Sequence, residues 1–189
     1  MDPATMSAMS PISGIDALGE IYCVSFVRGL SPEEALRRFG IDEETLEEGL
    51  PFDELDERSA ENMPDDGAGY VAAAKVGDWT VIVEPGGWRL AADSEKFRPV
   101  SRGTELVAVC RHDYAEDSFA YIVDGTPALW FDPARPEDGS EHFTAMMNEV
   151  GFSEEDPMGS SFALAARITG LGDVDLRALS YLGADPDDL

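Results

Sequence analysis

Histidine and lysine are scarce in this 189-residue chain, with two of each: His112 and His142, Lys75 and Lys96. So few imidazoles leave little from which to build a zinc site or a nucleophile-base relay. No lysine stands in a phosphate-binding glycine loop, no serine occupies a nucleophile elbow, and the two cysteines form no Cys-x-x-Cys pair. Cys23 and Cys110 each fall inside an apolar, strand-like run, where reduced and buried thiols belong. No apolar run approaches the roughly 20 residues of a membrane helix. The opening "MDPATMSAMSPISG" lacks a basic start followed by an apolar core, so the expected location is the cytoplasm.

What the chain has in excess is negative charge. Asp plus Glu number 39 against 13 Lys plus Arg, a formal net charge of -26. That is several times the magnitude of about 2 to 8 that suits a small domain. Residues 1 to 66 carry 17 acids and 4 bases, residues 67 to 136 carry 10 and 7, and residues 137 to 189 carry 12 and 2. The near-neutral middle also holds most of the β-like sequence, which places a sheet core there and the charge on helical flanks. Nucleic acid and anionic lipid share the protein's sign of charge, so direct binding to either is disfavoured. Eleven arginines against two lysines suit a G+C-rich genome.

Length and a hydrophobic content of 43% allow one domain with a substantial core. The expected division is a flexible lead over 1–11, a single α+β domain over 12–183 and a frayed tail over 184–189. "EIYCVSFVRG" reads as a strand. "LSPEEALRRFG" carries a full set of helix signals: Ser31 as N-cap, Pro32 in the first turn, Glu34 closing a capping box and Gly40 beyond the end. In "DEETLEEGLPFDELDE", the spacing predicts one short helix from Asp42 to Gly49 and another opening at Pro51 and stopping before Pro64, each with a narrow apolar stripe. Hairpins are expected at Gly77–Asp78 and, more strongly, at Asp124–Gly125. "DSEKFRPVSRG" predicts a short helix and turn, and "TELVAVCR" a strand. Three helices follow: "EHFTAMMNEVGF", "SSFALAARITG" capped by Ser160 or Ser161, and "DVDLRALSYLG" capped by Asp173. Together these predict a mainly antiparallel central sheet of about five to six strands, flanked by N-terminal and C-terminal helices.

Most motifs fail on context. "GAGYVA" places Gly67, Gly69 and Ala72 at dinucleotide-loop spacing, but turn-like sequence precedes it and strand-like sequence follows. The acidic clusters lack the ordered spacing and glycine of a calcium loop. No cofactor and no metal is expected. Trp79, Trp88 and Trp130 lie in or beside strands, as core or rim residues.

The strings "YCVSFVRGLSPEEALRRFG", "GDWTVIVEPGGW", "SRGTELVAVCR", "SFAYIVDGTPALWFDP" and "FALAARITG", in that order, resemble a family of uncharacterised proteins from high-GC Gram-positive bacteria, over roughly residues 18 to 172. The resemblance transfers no catalytic residue.

The functional expectation is a non-enzymatic, acidic protein that neutralises or regulates a basic protein partner, in the manner of an immunity protein or inhibitor. A surface of one sign accelerates encounter with an opposite surface by about ten to a thousandfold. Phe52 and Leu55 would anchor such a complex, ringed by Glu47, Glu48, Asp53, Glu54, Asp56 and Glu57. The opposing expectation for the same segment is that its apolar residues point inward and only its charge is available. Two alternatives stand beside the binder: a small hydrolase using His112 with Asp113 and Arg111 at the sheet edge, and a mimic of nucleic-acid charge.

Overall fold

A computed structural model describes residues 11–61, 70–112, 117–136 and 141–185. The strands are β1 (Ile12–Ser13), β2 (Tyr22–Arg28), β3 (Glu47–Pro51), β4 (Val71–Val76), β5 (Trp79–Pro85), β6 (Glu105–Arg111), β7 (Ser118–Val123), β8 (Thr126–Phe131), β9 (Val174–Asp175) and β10 (Ser180–Ala184). The helices are α1 (Pro32–Phe39), α2 (Phe52–Glu61), α3 (Arg89–Ala92), α4 (Ser94–Val100), α5 (Glu141–Glu149) and α6 (Pro157–Thr169). Eight strands form one sheet in the order β3-β10-β4-β5-β2-β6-β7-β8, each neighbouring pair antiparallel. β1 and β9 form a separate parallel pair.

Helices cover both faces, so the central strands are buried on both sides and largely apolar. In β2, Tyr22, Val24 and Phe26 belong to one core cluster with Leu55 of α2 and Phe162 of α6. Cys23 and Val27 belong to the opposite cluster with Leu36 of α1, Leu90 of α3 and Phe97 of α4. The Asp124–Gly125 hairpin forms as expected. Both residues sit at positive φ, 46° and 76°, the requirement of the tight turn that matches strand twist. Gly77 at φ 57° leads the β4–β5 hairpin.

α1 begins where its signals place it, with the Ser31 hydroxyl accepting from the Glu34 backbone N–H at 3.2 Å. The Glu34 carboxylate does not return the favour to complete a capping box. It accepts instead from Arg37 and Arg38, at 2.7 to 2.8 Å.

Two expected helices are strands. Asp42 caps only a 3-10 turn, Glu43–Thr45, after which the chain extends into β3. The expected helix 173–183 is β9, a 3-10 turn (Leu176–Ala178) and β10. β3 and β10 pair with each other, and β10 also pairs with β4. Non-local pairing outweighs a helix propensity of a few tenths of a kcal/mol per residue. The sheet therefore has eight strands where five to six were expected, with strands from the acidic flanks added at one edge. Gly183 makes the addition possible: a Cβ there would lie 2.6 Å from the Tyr70 ring, which fills that space.

α6 starts earlier than expected, capped by Asp156, whose carboxylate accepts from the Gly159 N–H at 3.0 Å. Ser160 bonds to Ser153 instead, and Ser161 donates to the Pro157 carbonyl. The lead over 1–10, Gly67, Gly69 and the tail over 186–189 lie outside the described residues, while Ala184 is a buried member of β10.

Candidate functional site

The acidic segment forms one structural unit at the β3 edge of the sheet. Phe52 and Leu55 are 3% and 0% exposed, in the same cluster as Leu50 and Tyr181. The Phe52 and Tyr181 rings stand 6.1 Å apart. Both apolar side chains pack α2 against the sheet, and as buried core residues they present no surface to a partner. A helix places residues three and four apart on one face, so the face that buries Phe52, Leu55 and Ser59 leaves Asp53, Asp56 and Glu57 exposed. Glu48 is exposed on β3, and Glu54 is half-buried. Glu47 is paired with Arg58 at 2.8 Å. Asp53 and Glu54 lie in the first turn of α2, where the helix dipole favours them. Ser59 donates to the Pro85 carbonyl at 2.6 Å and ties the helix to the end of β5.

A second polar cluster, unforeseen from the sequence, is buried on the opposite face. Register places Cys23 opposite Glu84 on one side and Cys110 on the other. Glu84 is 3% exposed, and its two carboxylate oxygens accept from the backbone N–H groups of Arg89 and Leu90, at 3.0 and 3.2 Å. Burial pushes its pKa up to about 6, against the pull of those hydrogen bonds. Burial first, and the neighbouring Cys110 and Glu84, hold the Cys23 thiol well above its ordinary value. Such a thiol is not a nucleophile at neutral pH. The cluster pins the "EPGGW" turn against the sheet. That motif is visible in the sequence, but the pairing that gives it a role is not.

The trio considered for hydrolysis is only partly placed. His112 is half-buried, with its ring edge-on to Trp88 at 4.5 Å, and its backbone N–H donates to Asp117 at 3.0 Å. Arg111 ends β6 opposite Tyr22, and Asp113 lies outside the described residues. Among the described residues no cluster of three or more His, Cys, Asp or Glu suits a metal ion. No described helix is long and apolar enough to cross a membrane. Of the three tryptophans, Trp79 is core, Trp88 half-buried and Trp130 is 56% exposed on β8.

An antiparallel sheet sandwiched by helices, with an anionic module at one edge, defines the class as α+β. The chain belongs to the family of unknown function DUF6461, whose model matches residues 12–174. No curated protein and no solved structure matches it.

Proposed function

We propose that this is a cytoplasmic, non-enzymatic binding protein of a high-GC Gram-positive host, which engages a basic protein partner through the acidic face of α2 and β3 and so neutralises or regulates it. One observation carries the reading. Glu48, Asp53, Asp56 and Glu57 are exposed together on a module whose apolar side is locked into the core. Charge held on a rigid support steers association without first having to be ordered. Two reduced, buried cysteines suit a reducing compartment.

The test is capture from a host lysate by three immobilised proteins: the natural chain, Glu48→Lys with Asp53→Lys and Glu57→Lys, and Glu141→Lys with Glu154→Lys and Glu155→Lys. Each variant changes three exposed acids, one of them in the first turn of a helix, so net charge moves equally. A basic protein retained by the natural chain and the second variant but lost by the first is the expected result. Equal capture by all three, or capture only of acidic proteins, overturns the reading.

A further inference from the structure

Beside the acidic helix, a cleft of about 280 Å³ opens between α2, the turn that precedes β2 and the turn that follows β5. Leu18, Ile21 and Ala60 supply its apolar lining, and Glu20, Asp56 and Ser59 its polar lining. Asp56, Ser59 and Ala60, spaced i, i+3, i+4, lie along the flank of α2 where its buried face meets its exposed one. The walls are fixed in place. Gly86 donates its backbone N–H to the Ile21 carbonyl at 2.8 Å, and Ser59 donates to the Pro85 carbonyl at 2.6 Å. Gly86 takes φ 71°, and a Cβ there would meet the Ser59 hydroxyl at 3.3 Å, so a residue with a side chain would disturb this junction.

The chemistry of the lining selects its occupant. No basic residue lines the cleft, and neither Glu20 nor Asp56 has an ion-pair partner among the described residues. Glu20 and Asp56 are both exposed residues, and the Ser59 oxygen keeps acceptor capacity after donating its proton. The volume falls just below the roughly 300 to 1,000 Å³ of small-molecule and cofactor sites. A long side chain with an apolar stem and a cationic head matches the apolar and the acidic lining together. Of the two candidates, arginine fits better than lysine, because its guanidinium is planar, presents several donors in a fixed fork and is less strongly hydrated.

We infer that this cleft receives an arginine side chain of the basic partner, its stem over Leu18 and Ile21 and its guanidinium between Glu20 and Asp56. The inference rests on the partner reading above and supplies the anchor that the buried Phe52 and Leu55 cannot. Arginine is enriched among the residues that dominate interface energetics, and walls that need no ordering suit such a role.

The probe is an acetylated, amidated Gly-Gly-Arg-Gly-Gly peptide, titrated into the 15N-labelled protein and followed by amide chemical shifts. Expected shifts concentrate on Gly19, Glu20, Ile21, Ala60 and Gly86. The lysine peptide binds more weakly, and a neutral citrulline peptide binds at least about tenfold more weakly. Glu20→Gln with Asp56→Asn, and separately Ala60→Trp, which fills the cleft, each weaken binding by about tenfold, whereas Glu141→Gln with Glu154→Gln, two exposed acids remote from the cleft, leaves it within about twofold. Shifts spread over the whole acidic surface, or equal weakening by the two neutralised pairs, overturn the cleft as the site. That failure is distinct from failure of the partner reading, which is judged by capture with Glu48, Asp53 and Glu57 reversed and Asp56 untouched.

Discussion

Glu84 carries its carboxylate into the layer between the sheet and α3, where its neighbours are two backbone N–H groups and the Cys23 thiol. An ordinary glutamate titrates near 4.5, and this one is pushed up to about 6 by burial. The folded protein therefore binds more protons than the unfolded chain between those values. Stability contributed by this group is complete below about 4.5 and lost as pH rises through about 6. A shift of this size corresponds to roughly 2 kcal/mol. Acidification also relieves repulsion elsewhere on the molecule, so the informative quantity is a difference. Glu84→Gln should be less stable than the natural protein, since its amide nitrogen faces one of the two backbone donors. The stability gap should widen from pH 7.5 to pH 5, by about 1 to 2 kcal/mol in urea unfolding. A gap independent of pH would assign the titration to other carboxylates. The residues of the cluster could be read from the chain one at a time. Their meeting could not, because it depends on the register of three strands.

At the scale of elements, the legible parts were those whose signals are local. α1 has its cap, proline and terminal glycine within ten residues, and the Asp124–Gly125 hairpin needs only two residues at positive φ. β3 and β10 carry helix-like local signals because what decides them is each other, across more than a hundred residues of chain. Leu46 and Leu50 illustrate the ambiguity. Four apart, they suit a helical stripe, yet Leu50 joins one core cluster and Leu46 packs against the other. α2 is legible as a helix, but spacing alone does not separate an inward face from a partner-binding stripe; the burial of Phe52 and Leu55 does. Chemical denaturation checks that assignment. Leu55→Ala should cost about 2 to 5 kcal/mol, the range for truncating a fully buried leucine. Glu57→Ala, on the exposed face of the same helix, should stay within about 0.5 kcal/mol. Comparable losses at both positions would mean that α2 is held by its charges and not by its core contacts.

The whole molecule carries three acids for every base, 39 against 13, so most carboxylates have no cation to pair with. The ion pairs that do form, such as Glu105 with Arg28 and Glu149 with Arg167, lie at partly or largely exposed positions where each is worth about 0 to 1 kcal/mol. Folding therefore proceeds against self-repulsion, and the core of buried aliphatic and aromatic residues on both sheet faces must outweigh it. The same surplus charge that opposes folding favours a basic partner, so salt should act on the two processes with opposite sign. Screening lengths fall from about 30 Å at 0.01 M salt to about 8 Å at 0.15 M. Over that range the thermal midpoint of the free protein should rise, and association with the captured basic protein should slow. Replacing Glu48, Asp53 and Glu57 by lysine changes the net charge by three times two, from -26 to -20. That variant should therefore show a smaller salt-induced rise in midpoint and a flatter dependence of association rate on salt. Calorimetry and stopped-flow mixing across the same buffers measure both. An association rate indifferent to salt, beside a midpoint that rises as expected, would show that the charge burdens the fold without recruiting the partner.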